Sequence, residues 1–179
     1  MDIVYFDLET QRTFNDVGGY DKKGAMGMSI GVIYSTADGA YEIFSEARAD
    51  ALVARLQKAD LVVGYNTISF DYEVLMGYVA LDLAHMLPSL DLLVEIEKVL
   101  GRRLKLEDVA QGSLGVGKIA DGLDAIRWFR EGRFMEIAEY CCYDVKVTKL
   151  VHEYGVANGV VHYLDRFGQK QEVVVDWKR

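Results

Sequence analysis

The sequence predicts a mixed α/β domain in which helices pack on a sheet, and three observations lead there. Runs rich in β-branched and aromatic residues, separated by short turns, crowd the first 45 residues; a strand–helix–strand passage follows; from residue 91 onward the apolar spacing turns helical.

"DIVYFDL" (2–8) and "MSIGVIYS" (28–35) read as strands, and "TADG" (36–39) turns the second into "AYEIF" (40–44) as a hairpin. Between the first two, "TFNDVGGYDKKGAMG" (13–27) reads as a long, glycine-rich connecting loop. In "RADALVARLQKAD" (48–60), Ala51, Leu52, Ala54, Leu56 and Ala59 recur at mostly helical intervals. "LVVGYN" (61–66) is short and apolar, as a buried strand would be. A helix is expected to start near Asp71 and run through "YEVLMGYVA". Four further helices are expected in "DLLVEIEKVLG", "KLEDVAQ", "GLDAIRWFREG" and "FMEIAEYCCYDVKVTKLVHEYG". "VVHYLD" and "EVVVDW" close the chain as a β-hairpin around "RFGQK", within residues 160–177. With no composition break, repeat or low-complexity segment, residues 1–179 are expected to form a single domain.

Composition narrows the setting. The net charge of -8 argues against a general nucleic-acid coating protein, which would carry a basic stripe, yet it leaves room for a site that holds cations. No uncharged apolar run approaches the roughly 18 residues of a membrane span, and "MDIVYF" reads as no signal peptide. Cys141 and Cys142 are neighbours, unsuited to pairing with each other, so a reducing, cytoplasmic setting is expected.

Four acids and a tyrosine carry the chemical signal. Asp7 and Glu9, two apart on a strand, point to the same face. Asp71 follows the strand ending at Asn66, in "NTISFD", and Asp144 sits in "YCCYDV" with Tyr140 one helical turn earlier. Singly, each has a plainer explanation: a helix N-terminal acid for Asp71, a solvated helix position for Asp144, a core aromatic for Tyr140.

Taken together, D-x-E (Asp7, Glu9), N-x-x-x-F-D (Asn66, Phe70, Asp71) and Y-x-x-x-D (Tyr140, Asp144) resemble the three motifs of DEDD 3′–5′ exonucleases, over residues 2–150. The tyrosine marks the subgroup that includes polymerase proofreading domains, and the second motif is most similar to the family B polymerase exonuclease domain. No histidine lies five residues before an Asp, which excludes the histidine subgroup.

The resemblance implies a ribonuclease H-like fold, with a mixed five-stranded sheet flanked by helices and the C-terminal hairpin as an addition. It implies a nuclease that hydrolyses terminal phosphodiesters of a single-stranded 3′ end, DNA slightly before RNA, releasing nucleoside 5′-monophosphates. Phosphodiester hydrolysis needs a nucleophilic water and a stabilised leaving oxygen, which two Mg2+ or Mn2+ ions about 3.5–4 Å apart supply. By resemblance, Asp7, Glu9 and Asp144 hold the first ion, and Asp7 and Asp71 the second. Tyr140, a poor base at neutral pH, orients the attacking water. Thr10, Asn66, Phe70 and Lys118 are candidate substrate contacts, and the 13–27 loop after the first motif is by the same resemblance a candidate binding element as well as a plain connection. The scheme leaves room for a protein partner and calls for no membrane.

Other signals weigh less. "GSLGVGK" (112–118) begins like a phosphate-binding loop, but Ile119 replaces the required Ser or Thr and the preceding residues read as helix. Arg102, Arg103 and Lys105 form the densest basic cluster, read first as a solvated face. Asp91 is read as a helix N-terminal acid, and the cysteines offer no zinc spacing. The acidic surface favours a rival reading, a non-catalytic ribonuclease H-like module that binds nucleic acid or protein; all five site residues being present opposes it. An endonuclease on the same fold is a second rival.

Overall fold

Alternation along the first strand sorts its side chains onto two faces, and the rest of the chain is built around that division. In the computed structural model, which describes residues 1–117 and 120–178, β1 spans Ile3–Thr10. Val4, Phe6 and Leu8 point to one side of the sheet and join a buried cluster there, whereas Tyr5 joins the cluster on the other. Asp7 and Glu9 continue the Tyr5 face.

The sheet has the order β3-β2-β1-β4-β5. β2 (Met28–Ser35) pairs antiparallel with β1 and with β3 (Ala40–Ser45). On the other side β4 (Leu61–Gly64) and β5 (Ser89–Asp91) run parallel to β1. The β1–β4 pairing ends at Tyr5↔Val63, while β1 continues to Thr10 beside β2. The far end of β1 thus projects beyond β4 with one edge open. A register shift between Glu9 and Thr10 marks the point where regular pairing gives out.

Helices cover both faces. α1 (Phe14–Val17) is a single turn after β1. α2 (Ala49–Leu56), α3 (Asp71–Leu75) and α4 (Leu83–Met86) lie on the Val4–Phe6–Leu8 side; Leu52, Leu56, Tyr72, Leu75 and Leu83 are fully buried there. α5 (Leu92–Leu100), α6 (Leu106–Leu114), α7 (Gly122–Arg130) and the long α8 (Phe134–Asn158) cover the Tyr5 side. Among the described residues no helix is long and apolar enough to cross a membrane.

Three elements differ from the sequence reading, each for a local reason. The 13–27 segment is no plain loop: a capping box between Thr13 and Asp16 starts α1, and a 3-10 turn follows at Tyr20–Ala25. Lys23 in that turn is buried, paired with Glu73 at 3.0 Å and set over the Tyr20 ring. α3 is shorter than expected because Gly77 abuts the backbone of Gly24, where a Cβ would lie 2.1 Å from the carbonyl oxygen. β5 did not stand out, because its three residues run straight into α5.

The C-terminal hairpin, β6 (Val160–Leu164) and β7 (Lys170–Val174), forms a separate two-stranded sheet. It docks on α6, where Gly112 lets the backbone of Tyr163 approach so closely that a Cβ would lie 2.5 Å from its N and Cα. Ser113 Oγ donates to His162 O at 3.0 Å and accepts from His162 N at 2.8 Å. Beyond β7, buried Trp177 stacks on His152 and packs against Gly155 of α8. Replacing this ring leaves a cavity, so Trp177→Ala should cost about 3–5 kcal/mol in urea unfolding followed by circular dichroism. A loss under about 1 kcal/mol would mean that the C-terminal segment does not bear on the core.

Candidate metal centre

The open end of β1 and the middle of α8 meet on the Tyr5 face. Asp7, Glu9 and Asp144 each bring a carboxylate oxygen into a group whose members all lie within 4.8 Å of one another. Strand alternation supplies the first two, and α8, packed across β1 and β2, supplies the third. Tyr140, one turn before Asp144, is buried beside it with its ring edge-on to Trp128 at 6.2 Å. Of the expected site residues, these four therefore converge.

Asp71 reaches the same place from the opposite face of the sheet. Because β4 stops early, the Leu8 amide has no ladder partner on that side, and Asp71 Oδ1 accepts its hydrogen at 3.1 Å. The carboxylate is buried, 2% exposed, and close enough to raise Asp7. It stands outside the tight trio.

Burial is the first cause of every shift at this centre. It holds Asp7 well above the usual carboxylate range, and the charges of Asp71, Glu9 and Asp144 add to the effect. Glu9 is raised likewise by burial, then by Asp144, Asp71 and Asp121. Burial pushes Asp71 up to about 8 against the opposing hydrogen bond from Leu8. Tyr140 is pushed far above its ordinary range by burial and by Asp144, Glu9 and Asp7, so its hydroxyl keeps its proton.

Such a cluster fits a hard divalent cation. The donors are all carboxylate oxygens, the set that Mg2+ and Mn2+ prefer. Asp7, Glu9 and Asp144 would hold such an ion, since each brings a carboxylate oxygen within 4.8 Å of the others. Protonation is the metal-free way to relieve the crowding, and a cation removes the need for it.

The turn carrying Asn66 and Phe70 is held by Asp91. Its Oδ1 accepts from the amides of Asn66 (2.8 Å) and Leu93 (3.0 Å), and its Oδ2 from Ile68 (3.0 Å). It therefore caps α5, as a helix N-terminal acid should, and also stabilises the left-handed Asn66, φ 69°. The Asn66 side chain accepts from Arg103 and, at 2.6 Å, from Ser69. It lines the cleft with Asp7 and Asp144.

On the other side of Glu9, Thr10, Phe14, Phe70 and Ile126 line a mixed pocket that Lys105 and Asp121 also border, with Phe14 and Phe70 edge-to-face at 5.9 Å. Lys118 lies outside the described residues, as does the end of the discounted "GSLGVGK" stretch; its start, Gly112–Leu114, is helical.

Two neighbours of the site were not anticipated. The Cys141 thiol donates toward Asp7 O and Oδ2, both at 3.4 Å, and is kept protonated by burial and the surrounding acids. Its only sequence signal was its position three residues before Asp144 on the same helix. Asp121 caps α7, accepting from Leu123 N at 3.0 Å and Asp124 N at 3.1 Å, and lines the pocket with Glu9. Its D-x-x-D spacing announces a helix start and nothing more.

A family model described as the RNase H superfamily matches residues 4–156, so the chain belongs to that superfamily. No curated protein sequence matches the chain. Among solved structures, the family B DNA polymerase from the hyperthermophilic archaeon Pyrobaculum calidifontis shares the fold with a TM-score of 0.63 and 16% identity. The alignment covers 87% of this chain and 24% of the polymerase, so the chain spans about a quarter of its length. Superfamily membership and the acidic cluster support a nuclease-type, metal-using chemistry.

The raised carboxyls set the pH dependence of the metal-free protein. A folded-state pKa of about 8 for Asp71, against 3.8 for the free side chain, means that the folded form binds the proton more tightly. That contribution is full below about pH 4 and is lost as pH rises through about 8. In chelator, stability should fall between pH 6 and pH 9 by roughly 2–3 kcal/mol for this group, lowering Tm by about 4–12 °C. Asp71→Asn, which keeps the acceptor for Leu8, should flatten that fall. A wild-type Tm that rises over this window would contradict the raised values.

Proposed function

We propose that the chain is a metal-dependent 3′–5′ exonuclease of the tyrosine DEDD type, acting on single-stranded nucleic acid with DNA favoured over RNA, and that residues 1–179 work as one exonuclease unit. The convergence of Asp7, Glu9 and Asp144 within 4.8 Å, on a fold of the RNase H superfamily, carries the reading. Asp7, Glu9 and Asp144 would hold one Mg2+ or Mn2+ ion, and Asp71 with Asp7 a second. Bound ions supply activation of a water and stabilisation of the negative charge on the departing oxygen.

The chain's own groups do the rest. The neutral Tyr140 hydroxyl, beside Asp144, orients the attacking water with no need to take its proton. Thr10 and Phe70 face the pocket next to Glu9, whose apolar wall with polar groups at its edge suits the terminal base and sugar. Asn66, on the opposite side of Asp7, borders the strand leading away from the cut. Water gives up a proton to solvent as its oxygen bonds to the phosphorus, the bond from phosphorus to the penultimate 3′-oxygen breaks, that oxygen takes up a proton, and a nucleoside 5′-monophosphate leaves.

The test is degradation of 5′-labelled single-stranded DNA and RNA in Mn2+. The expected result is a ladder that shortens from the 3′ end, disappears in Asp7→Ala and slows by about 10- to 100-fold in kcat for Tyr140→Phe, as loss of water orientation would. Internal cuts in end-blocked strands would mean an endonuclease instead. Binding without cutting on either polymer would favour a non-catalytic module.

A further inference from the structure

The C-terminal hairpin lies outside the family match, which ends at residue 156, and the proposed exonuclease chemistry gives it no task. We propose that it carries the single strand leading away from the metal centre, on a track of cations that starts at the 102–105 loop and ends at Phe167. The proposal rests on the nuclease reading and extends it to the upstream nucleotides.

Continuity is the first observation. The cleft that holds Asp7 and Asp144 is walled by Arg102, Arg103 and Lys105. Arg102 also lines the next depression along the surface, with Tyr163, Arg166 and Phe167 of the hairpin. One arginine thus belongs to both hollows, and its guanidinium sits over the Tyr163 ring at 5.0 Å.

Charge is the second. In a chain of net charge -8, about half of the described lysines and arginines have a carboxylate partner, Arg103 of the cleft wall among them through Glu97 at 3.4 Å; Arg12, Lys22, Lys58, Lys146, Lys170 and Lys178 form no ion pair among the described residues but line neither hollow. Among the described residues, Arg102, Lys105 and Arg166 form no ion pair, and all three are exposed. Exposed cations left unmatched on a route out of an acidic cleft complement a phosphate backbone, which that cleft alone would repel.

The third is how Phe167 is presented. It is 72% exposed, with its ring open to solvent at the tip of the hairpin. Its turn is built to hold it there: Asp165 Oδ1 accepts from the Phe167 and Gln169 amides at 2.8 and 2.9 Å, Asp165 Oδ2 accepts from Gln171 at 3.0 Å, and Gly168 supplies the left-handed residue, φ 74°. The Arg166 guanidinium lies 4.7 Å from the ring centre, so the tip offers a stacking face and a cation together. Both ends of the track are anchored. The hairpin is locked to α6 through Gly112 and Ser113, and the basic loop is pinned by buried Leu104, whose carbonyl accepts from the Tyr65 hydroxyl at 2.9 Å. Stacking on an exposed ring and contacts to phosphate are indifferent to sequence, so the occupant is single-stranded nucleic acid of any sequence.

The experiment pairs Arg102→Ala/Phe167→Ala with wild type on a trinucleotide and a 15-mer, each as DNA and RNA. It reads the affinity for labelled strands by anisotropy without divalent ion and kcat/KM in Mn2+. Lys58→Ala, which removes an exposed cation from the turn after α2, serves as the charge control. The double variant should weaken 15-mer binding about fivefold or more, as loss of one stacked base implies, and lower the 15-mer to trinucleotide ratio of kcat/KM by a similar factor. Its salt dependence should become shallower by about 0.7, because Arg102 no longer neutralises a phosphate. Lys58→Ala should match wild type.

Equal losses on both lengths, or none, would overturn the track while leaving the nuclease reading intact. A wild type that cuts nothing yet binds the 15-mer through Arg102 and Phe167 would sink the nuclease reading and keep the track. Phe167-dependent self-association in sedimentation, with strand binding unchanged, would make the patch a protein contact and overturn the proposal.

Discussion

Mutual repulsion among carboxylates held at one end of β1 is the constraint on which the rest of the structure turns. Two such groups about 5 Å apart repel by roughly 3 kcal/mol at an effective dielectric of 20. Asp7, Glu9 and Asp144 are closer than that, and Asp71 adds a fourth charge. Only a fold with rigid elements on several sides can hold such a group together. Here the sides are a central strand, a 25-residue helix packed across it, and a helix start tied to the strand's open edge.

That arrangement follows from a mismatch in strand length. β4 pairs with only three residues of β1, so the last part of β1 keeps one partner, β2, and leaves amides and side chains free for a site. The Leu8 amide goes to Asp71, and the turn before Asp71 is fixed by Asp91 through Asn66 and Ile68. Asp91 in turn caps α5, which leads to the basic loop at 102–105. A break at Asp91 would therefore be felt at the site without touching it. On the far side, burial and then the same carboxylates keep Tyr140 a neutral phenol and Cys141 a thiol, so both approach the acids as hydrogen donors.

The fold was legible wherever one element carries its own signal. β1, β2 and β3 are rich in β-branched and aromatic residues with clear turns, and α8 has a long helical spacing; all four appear close to their expected bounds. The site was legible because strand alternation and the four-residue helical step are fixed by geometry, so Asp7 with Glu9 and Tyr140 with Asp144 share faces whatever else the chain does. What escaped depended on distant partners. β5 has three residues and no pattern of its own; α3 ends where Gly77 meets Gly24; Cys141 and Asp121 matter through what packs against them. Asp91 looked like a helix cap and is one, but its hold on the Asn66 turn joins residues 25 apart in sequence.

The most direct test of the central claim is calorimetric titration of Mn2+ into the chelator-treated protein, with Asp7→Asn alongside, because Asn keeps the shape and removes one negative charge. The account predicts saturable binding of two ions to wild type, release of protons on binding at pH 7 because the raised carboxyls must give them up, and loss of at least one ion in Asp7→Asn. No saturable binding in wild type, or an isotherm that Asp7→Asn leaves unchanged, would show that these acids gather for some reason other than a metal ion.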